Sequence, residues 1–128
     1  MTLPLHGWKV AVLRSPEQSH SLISRLATYG AEVISIPTIR IVPPADLTQL
    51  HYAAHQLCAG TYEWVVFTSV NAVRCVAEHM TGPLNPQTQV ATVGRATARV
   101  ARHYHLDPVL QPPVTKQNAL GLVEAFEP

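Results

Sequence analysis

This chain of 128 residues is short of most of what marks the large functional classes. Cysteine occurs twice, as Cys58 and Cys75, and forms no C-x-x-C pair. That pattern points to two buried free thiols in a reducing cytoplasm rather than to a disulfide or a thiolate metal site. An excess of one charge is missing as well: 9 basic residues face 8 acidic ones, which argues against a general nucleic-acid binder or a protein drawn to acidic membranes. No apolar run approaches a membrane span, and Met1 to Trp8 lacks the apolar core of a secretory leader. Neither G-x-G-x-x-G nor G-x-x-x-x-G-K-[ST] occurs, and no cluster of acids sits at the strand ends, which weakens nucleotide-binding and phospho-receiver readings. His51 and His55 are spaced four apart on a helix but have no third ligand in view, so no metal site is expected. No nucleophile is paired with a base and an orienting group.

What is present is a core-forming composition, 47% apolar, in a length that fits one domain. Seven of the nine cations are arginine, the side chain suited to gripping carboxylate or phosphate. The organising stretch is Tyr62 to Val76. Trp64 to Phe67 is a continuous apolar run that predicts a strand buried on both faces. It breaks directly into Thr68, Ser69 and Asn71, which are good helix caps, and Val70, Val73, Val76, Ala77 and Met80 then recur at helical spacing. Gln89 to Val93 repeats the strand and runs into Gly94-Arg95-Ala96-Thr97-Ala98, where Gly94 allows close backbone approach and Thr97 places a hydroxyl in the first helical turn. In open α/β sheets such turns lie at the carboxyl ends of the strands, where ligands bind, and helix N-termini there favour anions. Taken singly, these residues are ordinary caps and turns.

The remaining segments fit the same plan. Lys9 to Leu13 predicts a buried strand with Arg14 at its carboxyl end, and Ser15-Pro16-Glu17-Gln18 has the spacing of a capping box with proline at the first helical position. Gly30 is placed to end that helix in the left-handed conformation, and Glu32 to Ile36 predicts a second, parallel strand. Pro37, the extended Thr38 to Val42 and Pro43-Pro44 read as a linker or edge strand between modules. Asp46 to Gln49 has the spacing of another capping box, opening a helix that runs to Gly60. Asp107 to Leu110 predicts a short strand, and Thr115 a cap for a last helix carrying Ala119, Leu120, Val123 and Phe126. Alternation of this kind predicts an α/β fold, a parallel sheet with helices on both faces, and on pattern alone a single flavodoxin-like sheet of five strands.

The segments Arg14-Ser15-Pro16, I-P-T-I-R-I-V-P-P from Ile36, W-V-V-F-T-S-V-N-A-V from Trp64 and V-A-T-V-G-R-A-T-A from Val90 occur in an order and spacing that resembles uroporphyrinogen-III synthase. The resemblance covers nearly the whole chain but about the amino-terminal half of the family's usual length. It implies a two-lobed architecture, with residues 1–37 a β-α-β portion of the first lobe, 38–44 a connector, and 45–128 an incomplete second lobe. It also implies cyclisation of hydroxymethylbilane with inversion of the last pyrrole ring, without cofactor, metal, nucleic acid or membrane. Thr97 then matches the threonine credited with a part in catalysis, and Arg14, Thr68, Ser69, Asn71, Gly94 and Arg95 are implied as substrate-binding residues. The tyrosine proposed to assist loss of water belongs to the half of the family not matched, so the expectation is a truncated chain that binds without turnover. Completion of the lobes by self-association and a repacking into one sheet stay open. His103 and His105 flank Tyr104 where the family tends to carry a glycine, and imply no catalytic histidine. Two rivals are a non-catalytic sensing module fused to a regulator and a generic flavodoxin-like binding domain.

Overall fold

The β-branched runs at Lys9-Val10-Ala11-Val12 and Glu32-Val33-Ile34-Ser35 form the strands β1 (Lys9–Val12) and β2 (Glu32–Ser35). In this computed structural model, which describes residues 1–126, they pair in parallel with Val12 opposite Ser35. Parallel neighbours need a crossover, and α1 (Pro16–Thr28) supplies it. Pro16 takes the first helical position as expected, but Ser15 makes no side-chain cap. The residue is buried, and its carbonyl instead accepts the Gln18 N–H at 3.1 Å. Gly30 (φ +92°) ends the helix as predicted: its N–H donates to Ala27 O, and Ala31 N–H reaches back to Leu26 O. The expectation of buried strands fails here, since only Val12 of β1 is buried and Ile34 of β2 is exposed. Two strands and one helix leave much of the sheet without cover. Thr38 to Val42 forms no strand and reads as a linker, tied back where the Thr38 hydroxyl donates to Leu13 O at 3.0 Å.

The chain divides into two compact units, Met1–Pro43 and Pro44–Pro128. In the second, α2 (Thr48–Ala59) starts from an Asx turn rather than a reciprocal capping box: the Asp46 carboxylate accepts the Thr48 N–H at 2.9 Å. That backbone bond, with a second from the Thr48 side chain, holds the Asp46 carboxyl below its ordinary value. Next come β3 (Trp64–Phe67), α3 (Val70–His79), β4 (Gln89–Thr92) and α4 (Arg95–His103). β3 and β4 pair in parallel, Trp64 opposite Gln89 and Phe67 opposite Thr92. Asp107 to Leu110 is reduced to one parallel bridge between Leu110 and Ala91. Pro108 and Pro112 flank it and lack the N–H groups a longer ladder would use. The α/β class and parallel pairing therefore hold, while the single five-stranded sheet becomes two sheets of two strands each.

Phe67, Val73, Val90, Ala101 and Leu106 form the buried cluster of this unit. β3 is not covered on both faces, because Val66 is 46% exposed. The last segment also differs from expectation. Thr115 lies inside a 3-10 turn, Val114–Lys116, and α5 (Ala119–Phe126) is capped by Asn118, whose side-chain oxygen accepts the Gly121 N–H at 2.8 Å. α5 reaches β3 through an edge-to-face contact of Phe126 on Trp64, ring centroids 4.8 Å apart. Cys58 and Cys75 are free but half-buried rather than buried, and the Cys58 thiol donates to Gly82 O at 3.3 Å.

The end of α4 is unusual. His105 has φ +59°, the one left-handed non-glycine among the described residues. Its N–H donates to Arg102 O and that of Leu106 to Ala101 O, so His105 fills the position where helices most often carry glycine. The turn is held because Leu106, 1% exposed, is anchored in the core. His105→Gly is expected to stabilise the chain by about 1 kcal/mol, the cost of a side chain in this conformation. A urea midpoint unchanged or lowered in the variant would refute this.

Candidate functional site

The in-register pairing of β3 with β4 decides where the two polar turns go. Phe67 O accepts the Val93 N–H at 2.9 Å, so Thr68-Ser69 and Val93-Gly94 leave the sheet side by side, about 4.8 Å apart as adjacent strands are. α3 and α4 begin there, and both N-termini open at one edge.

At the first turn, Ser69 is the cap of α3: its hydroxyl oxygen accepts the Ala72 N–H at 3.1 Å and its carbonyl the Val73 N–H. The hydroxyl proton remains available as a donor. Thr68 is exposed beside it and Asn71 half-buried in the first helical turn. At the second turn, Gly94 has φ +88° and ψ 140°, a conformation other residues reach only with strain. A Cβ there would meet nothing nearer than the Thr97 hydroxyl oxygen at 3.7 Å, so glycine is required by the backbone and not by crowding. Arg95 is exposed and Thr97 is 5% exposed. Beneath them the Thr92 hydroxyl, fully buried, has no hydrogen-bond partner among the described residues.

Four backbone donors of each first helical turn have no intrahelical partner. The Ala72 N–H is taken by Ser69 and the Gly94 N–H by Gln117 Oε1 at 3.1 Å. Gly94 contributes the conformation of the turn, and its N–H is engaged within the chain. The N–H groups of Val70, Asn71, Arg95, Ala96 and Thr97 have no acceptor among the described residues. Neither helix carries an acid in its first turn, and α4 opens with Arg95, a cation set against the positive end of the helix dipole. Hydroxyls, amides without a partner, the exposed Arg95 and two helix N-termini thus belong to the same edge of the sheet. Among the described residues neither helix start carries an acidic side chain, so the edge offers donors and one cation. No set of three histidine, cysteine or acidic side chains could hold a metal among the described residues. The His51 and His79 rings lie against each other, centroids 5.1 Å apart and planes tilted by 40°.

Arg14 belongs to the first unit, exposed beyond the carboxyl end of β1 and without an ion-pair partner among the described residues. Gln117 carries no local signal in the sequence. It lies 23 residues from Gly94, and nothing in its neighbours distinguishes it.

Residues 20–128 match the family model described as uroporphyrinogen-III synthase HemD. The chain belongs to the uroporphyrinogen-III synthase family. Among curated relatives, it is 31% identical over 101 residues to the uroporphyrinogen-III synthase of Synechococcus elongatus, covering 76% of this chain and 38% of that protein. It is 28% identical over 131 residues to the porphyrin biosynthesis protein HemD of Ruminiclostridium josui, covering 97% of this chain and 26% of that protein. Its fold is that of the Thermus thermophilus uroporphyrinogen III synthase: a substituted form superposes with TM-score 0.62 at 21% identity over 96% of this chain, and the wild type with 0.59 at 23% over 94%. The chain spans about half the length of those structures and 26% to 38% of the curated relatives. No helix is long and apolar enough to cross a membrane among the described residues.

Proposed function

We propose that this member of the uroporphyrinogen-III synthase family serves the cyclisation of hydroxymethylbilane to uroporphyrinogen III, and that the β3–β4 edge grips the substrate's carboxylates. The observation that carries this reading is the register that sets Thr68-Ser69 beside Gly94-Arg95. Closing a flexible octacarboxylate onto an inverted ring demands that its acid arms be fixed so that one ring carbon meets another, which is catalysis by positioning. Thr68, Ser69 and Asn71 supply one half of the grip and Arg95 with the Thr97 N–H the other, and the Thr97 hydroxyl takes the proposed part in catalysis. Arg14, in the first unit, keeps its proposed substrate-binding role on its own. Loss of the substrate hydroxyl as water calls for a proton donor, and no residue at this edge is a suitable acid.

The 128-residue chain is accordingly expected to bind hydroxymethylbilane without hastening formation of the type III isomer over the spontaneous type I product. Isomer analysis of the timed reaction checks this, and acceleration of the type III product by the chain alone would defeat the binding-only assignment. The two free thiols support a reducing, cytoplasmic setting.

Exposed Trp8, Ile34, Ile36 and Ile39 in the first unit support self-association of the chain. Sedimentation equilibrium should show a dimer or larger species at micromolar concentration, and a strictly monomeric profile would remove this part of the proposal.

A further inference from the structure

Gln117 lies outside every regular element, yet its side-chain amide makes three hydrogen bonds. Oε1 accepts the Gly94 N–H at 3.1 Å, while Nε2 donates to Pro112 O at 2.7 Å and to Pro113 O at 3.0 Å. Both ends of one planar group are therefore used, and the group is anchored to backbone throughout. Its partners matter. Gly94 is the N-cap of α4 and holds a conformation, φ +88° and ψ 140°, with no local side chain to enforce it. Pro112 and Pro113 are fixed in φ and have carbonyls but no N–H, so they form a stiff acceptor pair for the amide to hang from. The helix has no side-chain cap of its own. Gln117 replaces it from a distance.

We infer that Gln117 is a positioning residue for the anion-binding edge: by clamping Gly94 to the Pro112-Pro113 turn it fixes the direction in which the N–H groups of Arg95, Ala96 and Thr97 point. It does not touch the ligand. The inference rests on the carboxylate-binding reading of the preceding subsection and assigns a residue that reading does not contain. A gate that swings aside for substrate is the less favoured arrangement, because releasing Gly94 would also strand the amide nitrogen from two carbonyls.

The test compares Gln117→Met, which keeps the length and removes all three bonds, with Thr88→Val. Thr88 is buried at the other end of β4, where its hydroxyl donates to Tyr62 O at 2.7 Å, so its loss weakens the fold without loosening Gly94. Amide exchange at Gly94 and affinity for reduced uroporphyrinogen III, the proposed octacarboxylate product, are measured in the 128-residue chain. Gln117→Met is expected to lose Gly94 protection and to bind about tenfold more weakly, while Thr88→Val changes neither, although both unfold at lower urea. Equal binding by Gln117→Met and the unaltered chain, or equal weakening by Thr88→Val, overturns the inference alone. Failure of the unaltered chain to bind overturns the carboxylate reading and this inference together.

Discussion

Gly121→Ala is expected to lower stability by about 3 kcal/mol, at the upper end of what forcing an extra carbon into a packed site costs. Gly121 is buried in the first turn of α5, and a Cβ there would lie 2.1 Å from the Lys116 carbonyl oxygen and 3.1 Å from its carbon. The obstacle is backbone, so no rotamer change relieves it. That carbonyl also accepts the Asn118 N–H at 2.9 Å, and Lys116 is ion-paired with Glu124 one helical turn along α5, so moving either element breaks further contacts. The displaced segment includes Gln117, and the damage therefore reaches Gly94. Urea unfolding gives the loss directly. A midpoint within error of the unaltered chain would show that α5 can slide away from the 3-10 turn at no cost.

Arg95→Glu is expected to separate binding from stability by moving them in opposite directions. Arg95 opens α4, where a cation opposes the helix dipole and an acid would complement it, so the reversal should stabilise the helix by about 0.5 kcal/mol. At the proposed edge the same change replaces a carboxylate partner with a carboxylate. Affinity for the octacarboxylate should fall by about a hundredfold at low salt, with a smaller difference as salt rises. Titration at two ionic strengths, with thermal unfolding alongside, reads both quantities. Unchanged affinity would place Arg95 outside the site, and lower stability would show that an unseen partner holds the guanidinium.

Much of the fold could be read from local chemistry. Strand-turn-helix units at Trp64 and Gln89, the proline joint and the glycine ends of α1 and α2 follow from patterning and from conformations that one residue must adopt. The caps were less legible. Ser15, Asp46 and Thr115 have suitable side chains at suitable spacings, but burial turns Ser15 inward, and Asp46 closes an Asx turn. Asn118 displaces Thr115 because the 3-10 turn delays the helix by a few residues. Sheet number was illegible for a different reason, since whether two parallel pairs join depends on contacts far apart in sequence. At the candidate site, Thr68, Ser69, Gly94 and Arg95 announce themselves through their position after apolar runs. Gln117 does not, because its role depends on where a distant turn folds back.

The backbone bond from Val93 to Phe67 has an evolutionary consequence. It joins the two bends through the sheet alone, so the helix and loop between them are not needed to measure the spacing. Length changes within Thr81 to Pro83, at the exposed tip of that excursion, should drift freely among descendants of this chain. A single residue gained or lost inside β3 or β4 would instead turn one bend over and abolish the edge.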